Sequence, residues 1–565
     1  MPSSTAFTRR GFVTASAGVA GAIAAMPLLA ACGSAAASKG GVTTKKGLAA
    51  ILPDYVPQTN GPTPDIPIVT GANGATSDPG FLTYPTNLVK TVSSTPGSGG
   101  SYSAIIPLWG NIPAANNAYY KALNTALGAN LTVNPANGNN YGTTLPTLVA
   151  GNKLPDWINI PSWNNGNANT GELTSVKFAD LTPYLSGSNI RKYPNLAAIP
   201  TGGWQAAAWE DKIYGFPCWT SGNAFSSVLY YRADVFKSKG INASDVKTAD
   251  DLYALGAQLT SKTAGVYAFD LIWYAIQQMF KAPPNGPSEF IIQDGKVLTA
   301  FDAPEFAEAL AFAYKLTKSG YMHPNALAGD TNDSKQRFWS GQVLIESDGS
   351  GAWDAADAQS GLGANKAYTR AAFDVFSSDG STPTIALGNS SSMTSYLNKN
   401  LSSTQIEEIL ELANYLAAPY GSYEYTLINY GVEGTDYTVT SAGPTYTKQG
   451  YNESNQAIYQ QLVTPQSAVT NVNYPEITKG YCAWAGNAVK YAYKPTFWNM
   501  NITAPAQYTT VSGMTEVVDI VNEVTYGTKT VADFQTALAN WKSSGGQKML
   551  DWYTSDVYDK YGDGS

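Results

Sequence analysis

Tryptophans that stand close to amide or carboxylate side chains are the residues of this sequence best suited to binding chemistry. Trp163 is followed directly by Asn164 and Asn165, and Asp348 shortly precedes Trp353. A tryptophan face can cover the C–H face of a sugar ring, while amides and carboxylates bond to its hydroxyl edge. We therefore predict that the chain binds a hydroxyl-rich ligand. The predicted contacts are Trp109, Trp163, Asn164, Asn165, Trp219, Asp348, Trp353 and Trp484.

The composition suits such a ligand and argues against other partners. Tryptophan occurs 13 times and tyrosine 36 times, whereas charged residues make up only 13% of the 565 residues. The net charge of −8 comes with no block of lysine or arginine, so nucleic acid is not an expected partner. For any one aromatic residue a place in the core is the commoner outcome, as we expect for Trp541 and Trp552 on their helical faces.

Motifs for metal, nucleotide or serine-nucleophile chemistry are absent from the sequence. His323 is the single histidine, which excludes an HExxH zinc site, and neither a P-loop nor a GxSxG elbow occurs. We predict no metal, no cofactor and no catalytic residue. A glycoside hydrolase is the alternative, because that reaction needs only two carboxylates. The spacing selects no pair among Asp156, Glu346, Asp348, Asp354 and Glu433.

The first 32 residues have the organisation of an export signal. Arg9 and Arg10 precede an uncharged run of small and apolar residues, which leads to the sequence LAAC at 29–32. The paired arginines resemble a twin-arginine signal, and LAAC resembles the lipobox of bacterial lipoproteins, in which the cysteine is acylated. We predict an extracytoplasmic protein that a lipid on Cys32 attaches to the membrane. An ordinary signal peptide with an incidental cysteine is the alternative.

The rest of the chain is expected to form two α/β lobes. Residues 33–100, rich in proline, glycine, serine and threonine, predict a tether and a loosely ordered arm. Short apolar runs, beginning with 103–109, then alternate with amphipathic segments, and 565 residues are too many for a single core. Helix starts are predicted at Thr248 with Asp251, Asp302 with Pro304, Thr404 with Glu407, and Thr530 with Asp533, and Gly128 ends an earlier helix.

Several segments, in collinear order, resemble family 1 extracellular solute-binding proteins, the group that contains maltose-binding protein. They are LVAGNKLPDWI (148–158), the stretch 209–241 that contains YGFPCW and VLYYRADVFKSKGI, FWSGQVLIESDGSGAW (338–353), NYGVEGTDYT (429–438) and the C-terminal stretch 527–553. NYGVEGTDYT is similar to a signature of the oligosaccharide-binding lipoproteins in that family. Asn152 and Lys153 replace an acidic residue that is usual in the first segment, which leaves the identity of the ligand open.

The resemblance implies a bilobal, periplasmic-binding-protein-like fold that closes on an oligosaccharide and delivers it to the permease of an ABC importer. The expected receptor is a monomer, and a receptor for a non-sugar solute is a further alternative. The chain would cross between the lobes near 215–222, near 377–391 and after 481–489. Lobe one would comprise 101–218 with 385–492, and lobe two 219–384 with 493–565.

The same resemblance places three of the tryptophans. Trp219 would lie at the first crossing, and Trp353 at the position of a sugar-stacking aromatic residue of the maltose-binding relatives. Trp484 is expected in an exposed loop near the third crossing.

Two cysteines, Cys218 and Cys482, follow Cys32 in the sequence. An exported protein can form disulfides, but two widely separated cysteines do not establish one. A disulfide and a pair of free thiols are both compatible with the sequence.

Overall fold

The structure, a computed structural model, describes residues 41–564 except 60, 221–224, 226, 285–288 and 389. The predicted export signal and Cys32 lie outside these residues. Among the described helices, none combines the length and the apolar character that crossing a membrane requires. The predicted bilobal α/β fold class is confirmed, because the main strands form two separate sheets with two large, separate cores.

The lobe-one sheet has five strands. In spatial order the strands are Asn130–Asn137, Ser101–Leu108, Trp157–Pro161, Ser391–Leu397 and Gly215–Thr220. The first three pair in parallel, with Leu108 opposite Asn137. The fourth is antiparallel to both of its neighbours, so the fifth runs in the same direction as the first three. Parallel strands end at the same edge of a sheet, so the loops that follow these three strands are brought together there.

The lobe-two sheet has four strands. In spatial order they are Tyr267–Phe269, Val343–Asp348, Val228–Arg232 and Arg370–Ala372. The first pair is parallel and the other pairs are antiparallel. Arg370 is buried at the edge of this sheet, where its guanidinium lies 2.5 Å from Glu346 and 2.9 Å from Asp357. Such a buried triad holds the last strand to its neighbours, because leaving any one of its charges unpaired is costly.

Helices pack on both sheets. Those of eight or more residues are Ala118–Leu127, Tyr141–Ala150, Thr170–Lys177, Ala249–Leu259, Pro304–Ser319, Ala355–Ala364, Ser403–Leu416, Tyr423–Tyr430, Pro475–Ala488, Thr515–Thr525 and Val531–Trp541. Thr248 caps the start of its helix as predicted, and Thr530 with Asp533 forms the predicted capping box. Gly128 ends its helix in the left-handed conformation, also as predicted.

Two of the predicted helix starts are wrong. The capping box near residue 404 is formed by Ser402 and Gln405, two residues earlier than Thr404 with Glu407. Asp302 does not cap the helix that begins at Pro304, because its carboxylate pairs with the ammonium group of Lys542 instead. The first competitor is an equivalent local S-x-x-Q box, whereas the second, Lys542, is distant in sequence and not evident from the local pattern.

The segments expected to cross between the lobes lie side by side. Ile385–Ala386 and Ala492–Tyr493 pair in parallel, and we call them the hinge strands. Next to them, Leu387 forms an antiparallel bridge with Phe225, which follows the lobe-one strand Gly215–Thr220. Three stretches that are distant in sequence therefore meet between the two sheets.

Residues 41–100 pack along the body of the protein, which differs from the loosely ordered arm that their composition predicts. Gly41–Val42 pairs with Ile502–Thr503, and the side chains of Leu48 and Ile51 join the lobe-one core. Further along, Asn73 Nδ2 donates to the carbonyl oxygen of Ala492 on a hinge strand, at 2.8 Å. Polar groups of this stretch form hydrogen bonds with parts of the chain that are distant in sequence, and the sequence of the stretch itself does not indicate these partners.

The helix Pro475–Ala488 packs on lobe two, although the sequence-based boundaries place it in lobe one. Its buried residues Tyr481 and Trp484 share a core with Tyr230 and Trp353 of lobe two. Cys482 lies on this helix, whereas Cys218 lies on Gly215–Thr220, the last strand of the lobe-one sheet. Both cysteines are buried free thiols.

Candidate functional site

A cavity of about 240 Å³ lies where lobe one, lobe two and the hinge strands meet, and we call it the cleft. Lobe one contributes Trp163. The opposite wall belongs to the helix Trp273–Met279, which we call the cleft helix, and to the loop after it. The lining residues of this wall are Tyr274, Gln277, Gln278, Lys281, Ala282 and Pro284. Thr384, Ala386 and Tyr493 close the cavity at the hinge.

Trp109 and Trp163 are brought together by the topology of the lobe-one sheet. Each follows the carboxyl end of one of two neighbouring parallel strands, so their side chains project from the same edge. Their ring centroids are 6.0 Å apart, with an interplanar angle of 53°. The two rings are 48% and 57% exposed, which is unusual for tryptophan and leaves apolar area for a ligand to cover.

Gly138 makes room for Trp109. This glycine directly follows the third parallel strand, Asn130–Asn137, and a Cβ atom on it would lie 2.4 Å from the Trp109 indole. The Trp109 ring therefore packs directly against the backbone at Gly138. A side chain at this position would push the ring away from Trp163.

The cleft helix presents one aromatic ring and two amides to the cleft. Tyr274 is 57% exposed, yet the surrounding protein raises the pKa of its hydroxyl, which is expected for a group within a concavity. Gln277 is buried and donates from Nε2 to the carbonyl oxygen of Pro283 at 3.4 Å. Gln278 Oε1 is buried without a hydrogen-bond partner among the described residues, so it can accept a bond from a ligand hydroxyl.

Two charged residues lie in or near the cleft, and the sequence analysis predicts neither of them as a site residue. Lys281 lines the cleft, and its Nζ donates to the hydroxyl of Ser381 at 2.6 Å. Glu289 interacts electrostatically with Tyr493, a lining residue. Burial raises the pKa of Glu289 to about 7, while burial and the Glu289 charge raise the pKa of Tyr493 to about 12. No motif marks these residues, which lie eight positions apart in the segment that follows the cleft helix.

Asn164 and Asn165 follow Trp163 in a short turn of helix. Asn164 is buried, whereas Asn165 is half-buried, with an Oδ1 atom that has no hydrogen-bond partner among the described residues. An unpartnered acceptor beside Trp163 is compatible with the predicted contact to a ligand hydroxyl.

Asp348 is not among the described residues that line the cleft. Trp219 lies on the strand Gly215–Thr220, which leads to the first crossing, and its side chain lies outside the described part of the structure. Asp348 ends a strand of the lobe-two sheet, where its carboxylate lies 3.6 Å from the ammonium group of Lys335.

Trp353 and Trp484 lie in the core. Trp353 is 8% exposed and packs edge-on against Tyr230, with ring centroids 5.7 Å apart. Trp484 is 6% exposed, and its indole N–H donates to the carbonyl oxygen of Phe373 at 3.1 Å. The expectation of an exposed loop around Trp484 is wrong, because this segment forms the helix Pro475–Ala488.

The carboxylates considered for hydrolysis have structural partners. Asp156 accepts hydrogen bonds from the backbone and the hydroxyl of Ser103, Glu346 pairs with Arg370, and Asp354 caps the helix Ala355–Ala364. Glu433 lies exposed in the loop after Tyr423–Tyr430. None of these groups is among the residues that line the cleft. The described residues also contain no cluster of three or more metal-ligating side chains.

Comparison with known proteins identifies a family that matches this chain. The family described as bacterial extracellular solute-binding protein matches residues 118–419, more than half of the chain. This segment contains Trp163, the cleft helix and the first two crossings, whereas Trp109 precedes it.

Two curated relatives match in part. The sn-glycerol-3-phosphate-binding periplasmic protein UgpB of Agrobacterium fabrum is 30% identical over 135 residues, which are 22% of this chain and 30% of that protein. Lipoprotein LipO of Bacillus subtilis is 21% identical over 258 residues, 43% of this chain and 49% of that protein. The matched segments thus span less than half of either relative.

Solved structures show the same fold at low sequence identity. The alginate-binding protein AlgQ2, solved without calcium ion, superposes with a TM-score of 0.58 at 13% identity, covering 83% of this chain and 99% of that one. The N-glycan transport solute binding protein NgtS of Streptococcus pneumoniae, in complex with Man1GlcNAc, also gives 0.58 at 15% identity, covering 82% and 99%.

Proposed function

The chain belongs to the bacterial extracellular solute-binding protein family, and on this basis we propose that it is a receptor that captures an oligosaccharide in the cleft. The observation that carries the sugar assignment is the pair of half-exposed tryptophans at the edge of lobe one, opposite Tyr274 of the cleft helix. Aromatic faces on both walls suit a ligand with apolar C–H faces, and the names of AlgQ2 and NgtS are those of saccharide-binding proteins of the same fold.

Ligand capture would proceed by closure of the lobes. Trp163 and the cleft helix stand on different lobes, so a ligand that touches both binds the closed form better than the open form and shifts the population toward it. The paired hinge strands and the neighbouring Phe225–Leu387 bridge are the segments about which the lobes would rotate. We propose the lobe boundaries given by the sequence, with the helix Pro475–Ala488 moving with lobe two.

Within the cleft each group has a separate task. Trp109 and Trp163 would stack on sugar rings, and Gln278 Oε1 and Asn165 Oδ1 would accept bonds from hydroxyls because no protein group occupies them. Trp219, on the strand that enters the first crossing, is kept as a further contact. Asp348, Trp353 and Trp484 belong to the predicted set but act, in this proposal, through the packing of lobe two.

Delivery to an ABC importer and attachment through Cys32 complete the proposed function. The name of LipO, a lipoprotein, supports the lipid anchor, as does the LAAC sequence. A monomer held at the membrane by its N-terminus would present the cleft close to the permease. No bond is broken in this scheme, and three of the candidate hydrolytic carboxylates, Glu346, Asp348 and Asp354, are engaged in ion pairs or helix capping.

A thermal-shift screen followed by recovery of the ligand tests the proposed function. The purified protein, without its lipid, is heated with a panel of neutral and acidic oligosaccharides and with glycerol 3-phosphate. We expect a saturable stabilisation by at least one oligosaccharide, which is then recovered intact. Stabilisation by glycerol 3-phosphate alone would favour a non-sugar receptor, and steady release of reducing ends would establish a hydrolase.

A further inference from the structure

We infer that the ligand carries an anionic group, such as a carboxylate or a phosphate, and that Lys281 forms an ion pair with it in the cleft. This inference rests on the proposed function and specifies the class of sugar that the receptor takes. Its starting point is the position of Lys281 on the wall of the cleft, where it is the single basic residue among those that line it.

The ammonium group of Lys281 has no carboxylate in direct contact among the described residues. Its hydrogen bond goes to Ser381 Oγ at 2.6 Å, and that hydroxyl in turn donates to the carboxylate of Asp379 at 2.6 Å. None of the ion pairs among the described residues includes Lys281. An ammonium on the wall of a concavity with no direct carboxylate partner suits a ligand anion, because charge-assisted hydrogen bonds are stronger there than in open solvent.

The backbone of Lys281 is held in a conformation that lysine does not favour. Its φ is 57°, in the left-handed region, at the end of the cleft helix where glycine is the usual residue. The conformation is fixed by the bonds from Lys281 N to Gln278 O and from Ala282 N to Gln277 O, at 3.0 and 2.9 Å. A non-glycine residue in a strained backbone conformation within a binding cleft indicates that its side chain has a role in contacting the ligand.

Ser381, the hydrogen-bond partner of Lys281, lies on a loop that is itself bonded to the cleft helix. Ser378 N donates to the carbonyl oxygen of Met279 at 2.7 Å, which joins this loop to the cleft helix. The loop also contains Thr384, a lining residue, and leads into a hinge strand. Lys281 therefore stands between the cleft helix and a crossing segment, where lobe closure would bring a ligand against it.

Glu289 does not serve as the counter-ion of Lys281. Burial alone accounts for the raised pKa of Glu289, and no lysine or arginine lowers it. The charge of the Glu289 carboxylate instead contributes to the raised pKa of Tyr493 at the hinge end of the cleft. Glu289 is not among the described residues that line the cleft, so Lys281 is the charged side chain that a ligand would meet on the described cleft wall.

Calorimetric titration with matched charged and neutral sugars tests this inference. The probes are trigalacturonate, its neutral methyl ester, trimannuronate and glucose 6-phosphate, and the proteins are the wild type, Lys281→Gln, Lys281→Arg and Lys121→Gln. Lys121 is an exposed lysine on the helix Ala118–Leu127, far from the lining residues, and serves as the matched control. Circular dichroism and thermal melting show that each variant is folded.

We expect a charged probe to bind at least about tenfold more tightly than a neutral counterpart. Lys281→Gln should remove that preference, Lys281→Arg should retain most of it, and Lys121→Gln should leave it unchanged. Binding of uronates but not of glucose 6-phosphate identifies a carboxylate, and the reverse identifies a phosphate. Equal binding of charged and neutral probes by the wild type, or equal binding of a charged probe by the wild type and Lys281→Gln, overturns this inference while leaving the receptor function intact. A failure of every saccharide to bind overturns the proposed function itself.

Discussion

Trp109 and Trp163 follow the carboxyl ends of two neighbouring parallel strands and hold their ring centroids 6.0 Å apart, at 53° to each other. The two rings are inclined, so they cannot both lie flat on one sugar ring. An oligosaccharide that bends between them could instead present one ring to each tryptophan. This relationship explains why residues 54 positions apart in the sequence act as one surface.

Replacement of Gly138 by alanine tests the support beneath Trp109. A Cβ at this position would lie 2.4 Å from the indole, so the ring must move or the loop must shift. We expect the variant to lose about 1–3 kcal/mol of unfolding free energy and to bind oligosaccharide more weakly. Urea denaturation and calorimetry measure the two effects.

Gly363→Ala is the matched control, because a Cβ on Gly363 meets open space and its helix favours alanine. Unchanged stability and affinity in Gly138→Ala would show that Trp109 does not rest on this backbone.

Truncation of Trp353 or Trp484 should act on stability. Both side chains are buried in one core of lobe two, where large aromatic residues contribute through packing. Each change to alanine should lower the free energy of unfolding by about 3–5 kcal/mol, as measured by urea denaturation. Trp353→Phe, which preserves most of the packing, should keep wild-type affinity. A clear loss of affinity in Trp353→Phe, with little loss of stability, would return Trp353 to the binding surface.

The carboxyl of Glu289 should make stability depend on pH near neutrality. Burial raises its pKa to about 7 in the folded protein, so the folded state binds this proton more tightly than the unfolded state does. The resulting stabilisation is complete below about pH 4.5 and is lost as the pH rises through about 7. Glu289→Gln should therefore be more stable than the wild type at pH 8, and the two should converge in acid.

Thermal melting of both proteins from pH 5 to 8 measures this difference. Glu433→Gln, at an exposed position, should follow the wild type throughout. Parallel curves for Glu289→Gln and the wild type would mean that Glu289 titrates at its usual pKa.

The two cysteines should behave as buried thiols. Burial raises the pKa of Cys218 and of Cys482 to about 12, so neither is an effective nucleophile at neutral pH. In the variant Cys32→Ser, a thiol reagent such as DTNB should react slowly with the native protein and should count two thiols after unfolding without reductant. A count of zero would show that the two cysteines form a disulfide.

Much of the fold is predictable from the sequence because its determinants are local or shared with a family. Thr248 and the Thr530–Asp533 box signal helix starts through side chains that bond to nearby backbone groups. The packing of residues 41–100 is not predictable in this way. Thr43, for example, bonds to the carbonyl oxygens of Ala208 and Asn501, two partners that only the folded chain brings close.

The residues of the candidate site also fall into those that the sequence predicts and those that it does not. Trp109 and Trp163 are predictable because each follows a recognisable apolar strand, and parallel strands share an edge. Trp353 and Trp484 show the weakness of the same reasoning, because a tryptophan beside a turn or a crossing can as well face the core. Tyr274 and Lys281 lie seven positions apart on the cleft helix and at its end, but no local pattern marks this helix as a wall of the cleft, and only the folded chain brings Tyr493 beside it.

Calorimetric titration of one bound oligosaccharide into the wild type, Trp163→Ala, Tyr274→Ala and Tyr423→Ala tests the central claim most directly. Trp163 and Tyr274 stand on opposite walls of the cleft, whereas Tyr423 is an exposed aromatic residue that does not line it. We predict that each of the first two changes weakens binding at least about tenfold while the protein stays folded, and that Tyr423→Ala binds as the wild type does. Wild-type affinity in both Trp163→Ala and Tyr274→Ala would contradict a ligand held between the two lobes.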